Sequence, residues 1–437
     1  MTPTVTQNFS EAAFEAFLEA RREPEWLVEF RRTAWSRFQS LGYPTRKEEE
    51  WMRTDIRLFK LENYALPIEA AAGSEALPPA LLKAGVEVGG NSAAFGSRNV
   101  GESLDAKWAN KGVIFGSLDR LIVERGDKLK PYFLSGLVDS GLDKFAALQA
   151  ACWSGGHVLY VPRNVAVDQP LHAFSAMGNK GVDLGRTLVV LEEGAEATLL
   201  CETASVSATD DGLHCGATEV ILQPGARLRL VTLQNWGHKV WHFAHQKAQV
   251  DRDGGIQWTL GALGSRLAKV NQHVELVGPG AETQVNGVMF TEGKQHLSYH
   301  TLQHHRARDC RSDFLYKSAL QDASRTVWRG MIKVDPGAVK TDGYQRNDNL
   351  LLSHEARADS IPGLEIEADD VRCTHGSTSG RVDEELIFYA MARGYTRREA
   401  IRMIVTGFFQ QVFDRISVES VREALALAIN RKVREYE

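Results

Sequence analysis

A thiol and an imidazole stand two residues apart in the run Cys373-Thr-His375-Gly-Ser-Thr-Ser-Gly380. Thiolate and imidazole are both good ligands for iron or a soft divalent ion. On an extended chain alternate side chains share a face, so Cys373 and His375 point the same way. Two groups do not complete a tetrahedral site, which takes four ligands, so the rest must come from outside the pair. The bland alternative is a buried cysteine beside a histidine that caps the following helix.

Other candidate ligands fare worse. His238, His242 and His245 lie in one short run, but on a strand the first two share a face and the third opposes them. His296, His300 and His304 do share a face. They are four residues apart, at about 7 Å per two residues, so one straight strand does not bring them to one ion. Hydrogen-bonded histidines on a strand face are the expectation. The five cysteines (Cys152, Cys201, Cys215, Cys310, Cys373) are odd in number, widely spread and without CxxC spacing. Neither a disulfide framework nor a zinc knuckle follows, and a reducing compartment does. No nucleophile elbow, Walker loop, HExxH or dinucleotide fingerprint sits in a matching context. No compact acidic cluster argues for glycoside chemistry.

The elements that would position the pair follow from pattern. Asp383, Glu384 and Glu385 suit the start of a helix dipole, and Leu386–Arg393 closes at Gly394. Thr396 and Glu399 form a capping box that opens a second helix, with Ile401, Ile404, Val405, Phe408 and Val412 on one face. Ser420 and Glu423 form another box before a last helix. Upstream of Cys373, short apolar or alternating runs dominate from His157 for about 200 residues, with no long helical pattern. A Gly-Ala turn recurs at Gly194, Gly225, Gly280 and Gly337, spaced by 31, 55 and 57 residues by subtraction. The larger two are close to double a unit of about 28 residues, the size of one solenoid coil. Gly216 and Gly261 fall off this period, and a sandwich or jelly roll is the alternative.

Residues 10–64 read as helices: Ser10 caps one, Trp26 to Leu41 forms another, and Thr45 with Glu48 caps a charged segment that reads as a solvated helix face anchored by Trp51. Residues 65–105, rich in Ala, Gly and Pro, read as a linker or loose lobe. Leu142 to Trp153 reads as a short helix. The 437 residues allow two or three domains. A formal charge of −5 gives no reason to expect nucleic acid binding. No apolar window reaches the roughly 18 residues of a membrane span. Met1-Thr-Pro-Thr-Val-Thr-Gln lacks a basic segment followed by an apolar one, so no signal peptide is visible and a cytoplasmic location is expected.

The run Cys373–Gly380 with Asp383-Glu-Glu-Leu-Ile-Phe-Tyr-Ala-Met-Ala-Arg-Gly394 resembles the C-terminal signature of the SufB/SufD family of iron–sulfur cluster assembly proteins. Thr341–Leu352, the segment from His304-His305 to Tyr316-Lys317-Ser318, and Arg46-Lys-Glu-Glu-Glu-Trp51-Met-Arg-Thr54-Asp55 are also similar to the family; the last has one extra residue before Trp51. The resemblance implies a right-handed parallel β-helix between helical ends: helical 1–155 with a linker, β-helix 156–372, helical 373–437. It implies a non-enzymatic subunit of a SufBCD complex, with a SufB-like scaffold as partner and a SufC-like ABC ATPase docked on the C-terminal helices. The isolated chain is expected to be able to form a homodimer. SufB-type features are missing: the N-terminal cysteine cluster, a cysteine where Ala356 stands, and His-Glu where His375-Gly376 stands. The resemblance is therefore nearer to SufD, which supports iron acquisition. It implies no cofactor held stably by this chain alone, with iron or a nascent cluster at the SufB interface and His375 favoured over Cys373 as a ligand there. A solitary β-helix enzyme acting on carbohydrate is the alternative.

Overall fold

The structure, a computed structural model, describes residues 9–68 and 77–433. The expectations for residues 1–7 and 434–437 lie outside the described residues. From Gly155 the chain forms strands that alternate between two sheets. They are β4 (Gly155–Val161), β5 (Leu171–Met177), β6 (Gly181–Asp183), β7 (Gly185–Leu191), β8 (Glu196–Ser205), β9 (Asp211–Leu222) and β10 (Arg227–Asn235). Next come β11 (Lys239–Val250), β12 (Gly255–Ala262), β13 (Leu267–Leu276), β14 (Glu282–Thr291), β15 (His296–His305), β16 (Arg311–Leu320) and β17 (Arg325–Val334). The last are β18 (Asp342–Leu351), β19 (Arg357–Ile366) and β20 (Arg372–Arg381). One sheet runs β5-β8-β10-β12-β14-β16-β18-β20 and the other β19-β17-β15-β13-β11-β9-β7-β4. From β7 onward each strand pairs in parallel with the next but one, which defines a parallel β-solenoid of about eight turns. A face-packed sandwich of hairpins is excluded.

The coil length explains the turn pattern. From β8 to β20 the strands of the first sheet start 31, 28, 27, 29, 31 and 30 residues apart, by subtraction. A column of left-handed residues stacks at one corner: Gly194, Gly225, Asp253, Gly280, Asp309 and Lys340, with φ from 56° to 73°. Each N–H from Gly194 to Asp309 donates to the carbonyl just before the next member, for example Gly225 to Arg252 at 2.8 Å. The spacings of 55 and 57 residues are double because Asp253 and Asp309 occupy intervening coils, aspartate being one of the few side chains that tolerate this conformation. In the last interval the ladder passes through Lys340, not Gly337. Gly261 serves another purpose: a Cβ there would lie 2.8 Å from Leu425, so the glycine admits a helix.

Alternation of faces builds three layers. Inward residues such as Ile256, Trp258 and Leu260 form the lumen core. The outer face of one sheet (Leu213, Trp241, Phe243) is covered by α1 (Glu11–Arg21), α2 (Glu25–Ser40) and, after intervening elements, α6 (Lys144–Cys152). Those elements are the hairpin β1 (Gly90–Phe95) and β2 (Arg98–Leu104), then α3 (Ala106–Ala109), β3 (Ile114–Ser117), α4 (Leu118–Glu124) and α5 (Gly126–Phe133). The hairpin extends the first sheet through β5, so part of 65–105 is ordered sheet edge and not linker. The outer face of the other sheet (Val231, Leu233, Leu315) is covered by α7 (Glu384–Ala392), α8 (Arg397–Phe413) and α9 (Glu419–Lys432).

Several local expectations change. Ser10 caps α1 and the Thr396–Glu399 box caps α8, as the pattern predicts. α9 starts at Glu419 after Val418, with no side-chain cap, so the Ser420–Glu423 box does not form. Thr45 and Glu48 do hydrogen-bond, but the chain runs on as turns because this segment straps across the solenoid. Glu50 reaches His300 Nδ1 at 2.6 Å and pairs with Arg329, Thr54 bonds Ser298 at 2.9 Å, and Trp51 is buried on Phe145 and Phe243. The solvated helix face expected there is a tertiary clamp. The boundary expected between 372 and 373 falls inside β20, so Cys373–Gly380 belongs to the solenoid's last coil.

Candidate functional site

β19 and β20 each end their sheet, and among the described residues no strand pairs with their outer edges. The inner strands β14 and β16 are almost wholly buried, whereas β19 and β20 are half-buried or exposed along their length. The solenoid is therefore open at this end, with two ten-residue strand edges free to pair.

The register places the predicted pair. Cys373 lies beside Gly343 and His375 beside Gln345 of β18. Gln345 and the next alternate residue, Asn347, are fully buried and point into the lumen. Cys373 and His375 continue these inward columns and line the mouth of the lumen together, on one face as their spacing predicts. Cys373 is half-buried against Ile332, Val334 and Ala338. Burial raises its thiol pKa above the ordinary value, opposed by the Gly343 backbone. Burial thus favours the protonated thiol. His375 is exposed and has no hydrogen-bond partner among the described residues. The helix-capping alternative fails: α7 begins nine residues later, and Asp383 is its cap, accepting from Glu385 N–H.

A polar lining continues along β18 and β20 from His375. Asn349 Nδ2 donates to Asn347 Oδ1 at 2.8 Å and to Ser360 Oγ and Ser379 Oγ at 3.1 Å. Gln345 Nε2 donates to Gly363 O at 3.0 Å. Sequence reasoning missed these residues. Their signal is the alternation Gln345, Asn347, Asn349, which reads as a solvent face but turns inward.

The other histidines take the hydrogen-bonded role expected of them. His242 stacks on His214 inside the lumen at 4.7 Å between ring centroids, while His245 faces outward onto Asp143 at 3.2 Å. His300 bonds Glu50, and His304 bonds Asp335 at 2.7 Å. Among the described residues no three His, Cys, Asp or Glu converge on a metal position. Cys373 and His375 would supply two ligands at most.

A second surface lies on the C-terminal helices. Ile387 is buried under α7, but Leu386, Phe388, Tyr389 and Met391 are exposed, Phe388 by 73%. On α8, Phe409 is fully buried with Ile401 and Val405. Phe408 is half-buried, with Lys317 Nζ 4.7 Å from its ring. Both phenylalanines thus face the solenoid, and the unpartnered apolar patch belongs to α7.

Comparison with known proteins decides the family. The family described as "SUF system FeS cluster assembly, SufBD core domain" matches residues 174–408, and "SufBD protein N-terminal region" matches residues 12–173. The chain belongs to the SufBD family. It is similar to a protein named iron–sulfur cluster assembly SufBD family protein in Staphylococcus haemolyticus, at 28% identity over 95% of this chain and 90% of the relative. Relatives of the same description in Staphylococcus aureus strains MRSA252 and USA300 match to the same extent. The SufBD chain is thus an iron–sulfur cluster assembly protein built on a β-solenoid. No helix among its described residues is long and apolar enough to cross a membrane.

Proposed function

We propose that this chain is a SufD-type, non-enzymatic subunit that pairs end to end with a SufB-like scaffold and docks a SufC-like ABC ATPase. The observation that carries the pairing is the open mouth that Cys373 and His375 line. Two free strand edges offer backbone groups that a second solenoid end satisfies. A partner seated there would bring the further ligands that the pair lacks. Iron or a nascent cluster held at that junction is a transient substrate of the assembly and not a resident cofactor. The SufD assignment is supported by Ala356, buried in the loop before β19 where the scaffold type carries cysteine, and by Gly376 after His375. The same edges would let the isolated chain pair with itself. A cytoplasmic setting follows from the assembly role.

ATPase docking rests on α7. Its exposed Leu386, Phe388, Tyr389 and Met391 form a contiguous apolar stretch on a helix whose other face is already packed. The family membership favours this reading over the carbohydrate-enzyme alternative. In the outer groove beside β16 and β18, Asp313 pairs with Arg415 and Asp342 with Arg372.

The test is His375→Ala in the co-expressed complex, purified without oxygen. The complex should form with its normal mass and lose iron. Normal iron and sulfide content would remove His375 from the role, and Cys373→Ala then asks whether the thiol acts instead.

A further inference from the structure

Most of the lumen is apolar, yet one column inside it is not. Gln246 of β11, Gln272 of β13 and Thr301 of β15 are register partners on the inward face. Gln303 lies two residues beyond Thr301, and Gln345 enters from β18 beside His375. Gln272, Gln303 and Gln345 are fully buried. Nevertheless Gln246 Oε1, Gln272 Nε2, Thr301 Oγ1, both amide atoms of Gln303 and Gln345 Oε1 have no hydrogen-bond partner among the described residues. Each such atom, left bare, costs on the order of 1–3 kcal/mol. A native fold does not leave six such atoms bare in one lumen.

The column starts at a cavity of about 90 Å³ between the two sheets, lined by Asp183, His242 and Gln246. There Asp183 Oδ2 and His242 Nδ1 are also unpartnered. The guest must both give and take hydrogen bonds, since Gln272 Nε2 donates while Gln246 Oε1 and Asp183 Oδ2 accept. A bare cation does neither and a simple anion only accepts, and no three ligating side chains converge among the described residues. Water does both. At ~10–15 Å³ per molecule, the cavity has room for several.

We propose that a file of ordered water threads the lumen from this cavity to the mouth at Cys373 and His375. A partner covering the outer side of the mouth would leave its inner side wet. That consequence rests on the interface proposed above; the file itself does not.

A crystal structure of the full chain alone, at a resolution that shows ordered water, tests it. Water is expected within hydrogen-bonding distance of Gln246 Oε1, Thr301 Oγ1, the Gln303 amide and Gln345 Oε1. Gln303→Leu should lose the waters at its own level and keep those of the cavity. If that variant does not fold, Thr301→Val, which preserves shape, should lose the one at Oγ1. Glutamines rotated to bond one another in a dry ladder, an empty column, or density that refines as a metal ion would each overturn the proposal. Failure of the interface appears in the complex instead, and leaves these waters in place.

Discussion

Replacing Lys269 by methionine should stabilise the protein at neutral pH and flatten its dependence on pH. Lys269 projects from β13 under the strap that carries Glu50 and Trp51. Its side chain is 2% exposed, its Nζ makes no hydrogen bond, and the nearest Glu50 oxygen is 3.8 Å away. Burial is the main cause that lowers its pKa to about 7. Glu50 and Asp143 oppose the shift, and Arg329 adds to it. Above the unfolded value near 10.5 both states are neutral and nothing is lost. As pH falls from there towards 7, the unfolded chain takes up a proton that the folded chain refuses. Stability drops by up to about 1.4 kcal/mol per pH unit, reaches a loss of about 4 kcal/mol near pH 7, and then levels off. Methionine has similar volume, carries no charge, and leaves Glu50 its contacts with His300 and Arg329. Urea unfolding followed by tryptophan fluorescence at about pH 7 and about pH 9.5 measures the effect. The natural protein's midpoint should rise with pH more steeply than the variant's, and the variant should be the more resistant at pH 7. Equal slopes, or a weaker variant at pH 7, would refute the reasoning.

Three further outcomes are expected. Gly194→Ala puts a Cβ 2.5 Å from Asn164 Oδ1 at a φ of 67° and should cost at least ~1–2 kcal/mol, read as a lower melting temperature. Asp253→Gly in the same column should change stability by under ~1 kcal/mol. Phe409→Ala empties a fully buried site and should cost ~3–5 kcal/mol, making α8 and α9 sensitive to protease, whereas exposed Phe388→Ala should stay within ~0.5 kcal/mol of the natural protein and weaken ATPase binding. Deleting residues from 384 onwards should abolish ATPase binding while the β-type circular dichroism persists. Undiminished binding would move the docking surface elsewhere.

The solenoid was legible because its turns repeat in sequence. The count was blurred because Asp253 and Asp309 replace glycine in two coils, and a scan for Gly-Ala pairs passes over them. Cys373 and His375 were legible as a pair because period two holds for any strand. What lies around them was not, since inward Gln345, Asn347 and Asn349 invert the usual rule that polar residues face water. The strap at Glu50 was misread for a related reason. A charged run reads as solvated unless its partners are known, and His300, Lys269 and Arg329 lie more than 200 residues away. Helical spacing reaches its limit on α8: it sets Phe408 on the face of Ile401 and Val405, whereas Phe409 is the fully buried ring and Lys317 receives Phe408.

The central claim is that the open end at β19 and β20 is where a second solenoid binds. Light-scattering mass of the co-expressed complex, with Leu364→Asp and Ile366→Asp introduced together on exposed positions of β19, tests it most directly. The account predicts that the SufB-like subunit dissociates while the variant keeps its circular dichroism and its ATPase. A complex of undiminished mass and stability would contradict it.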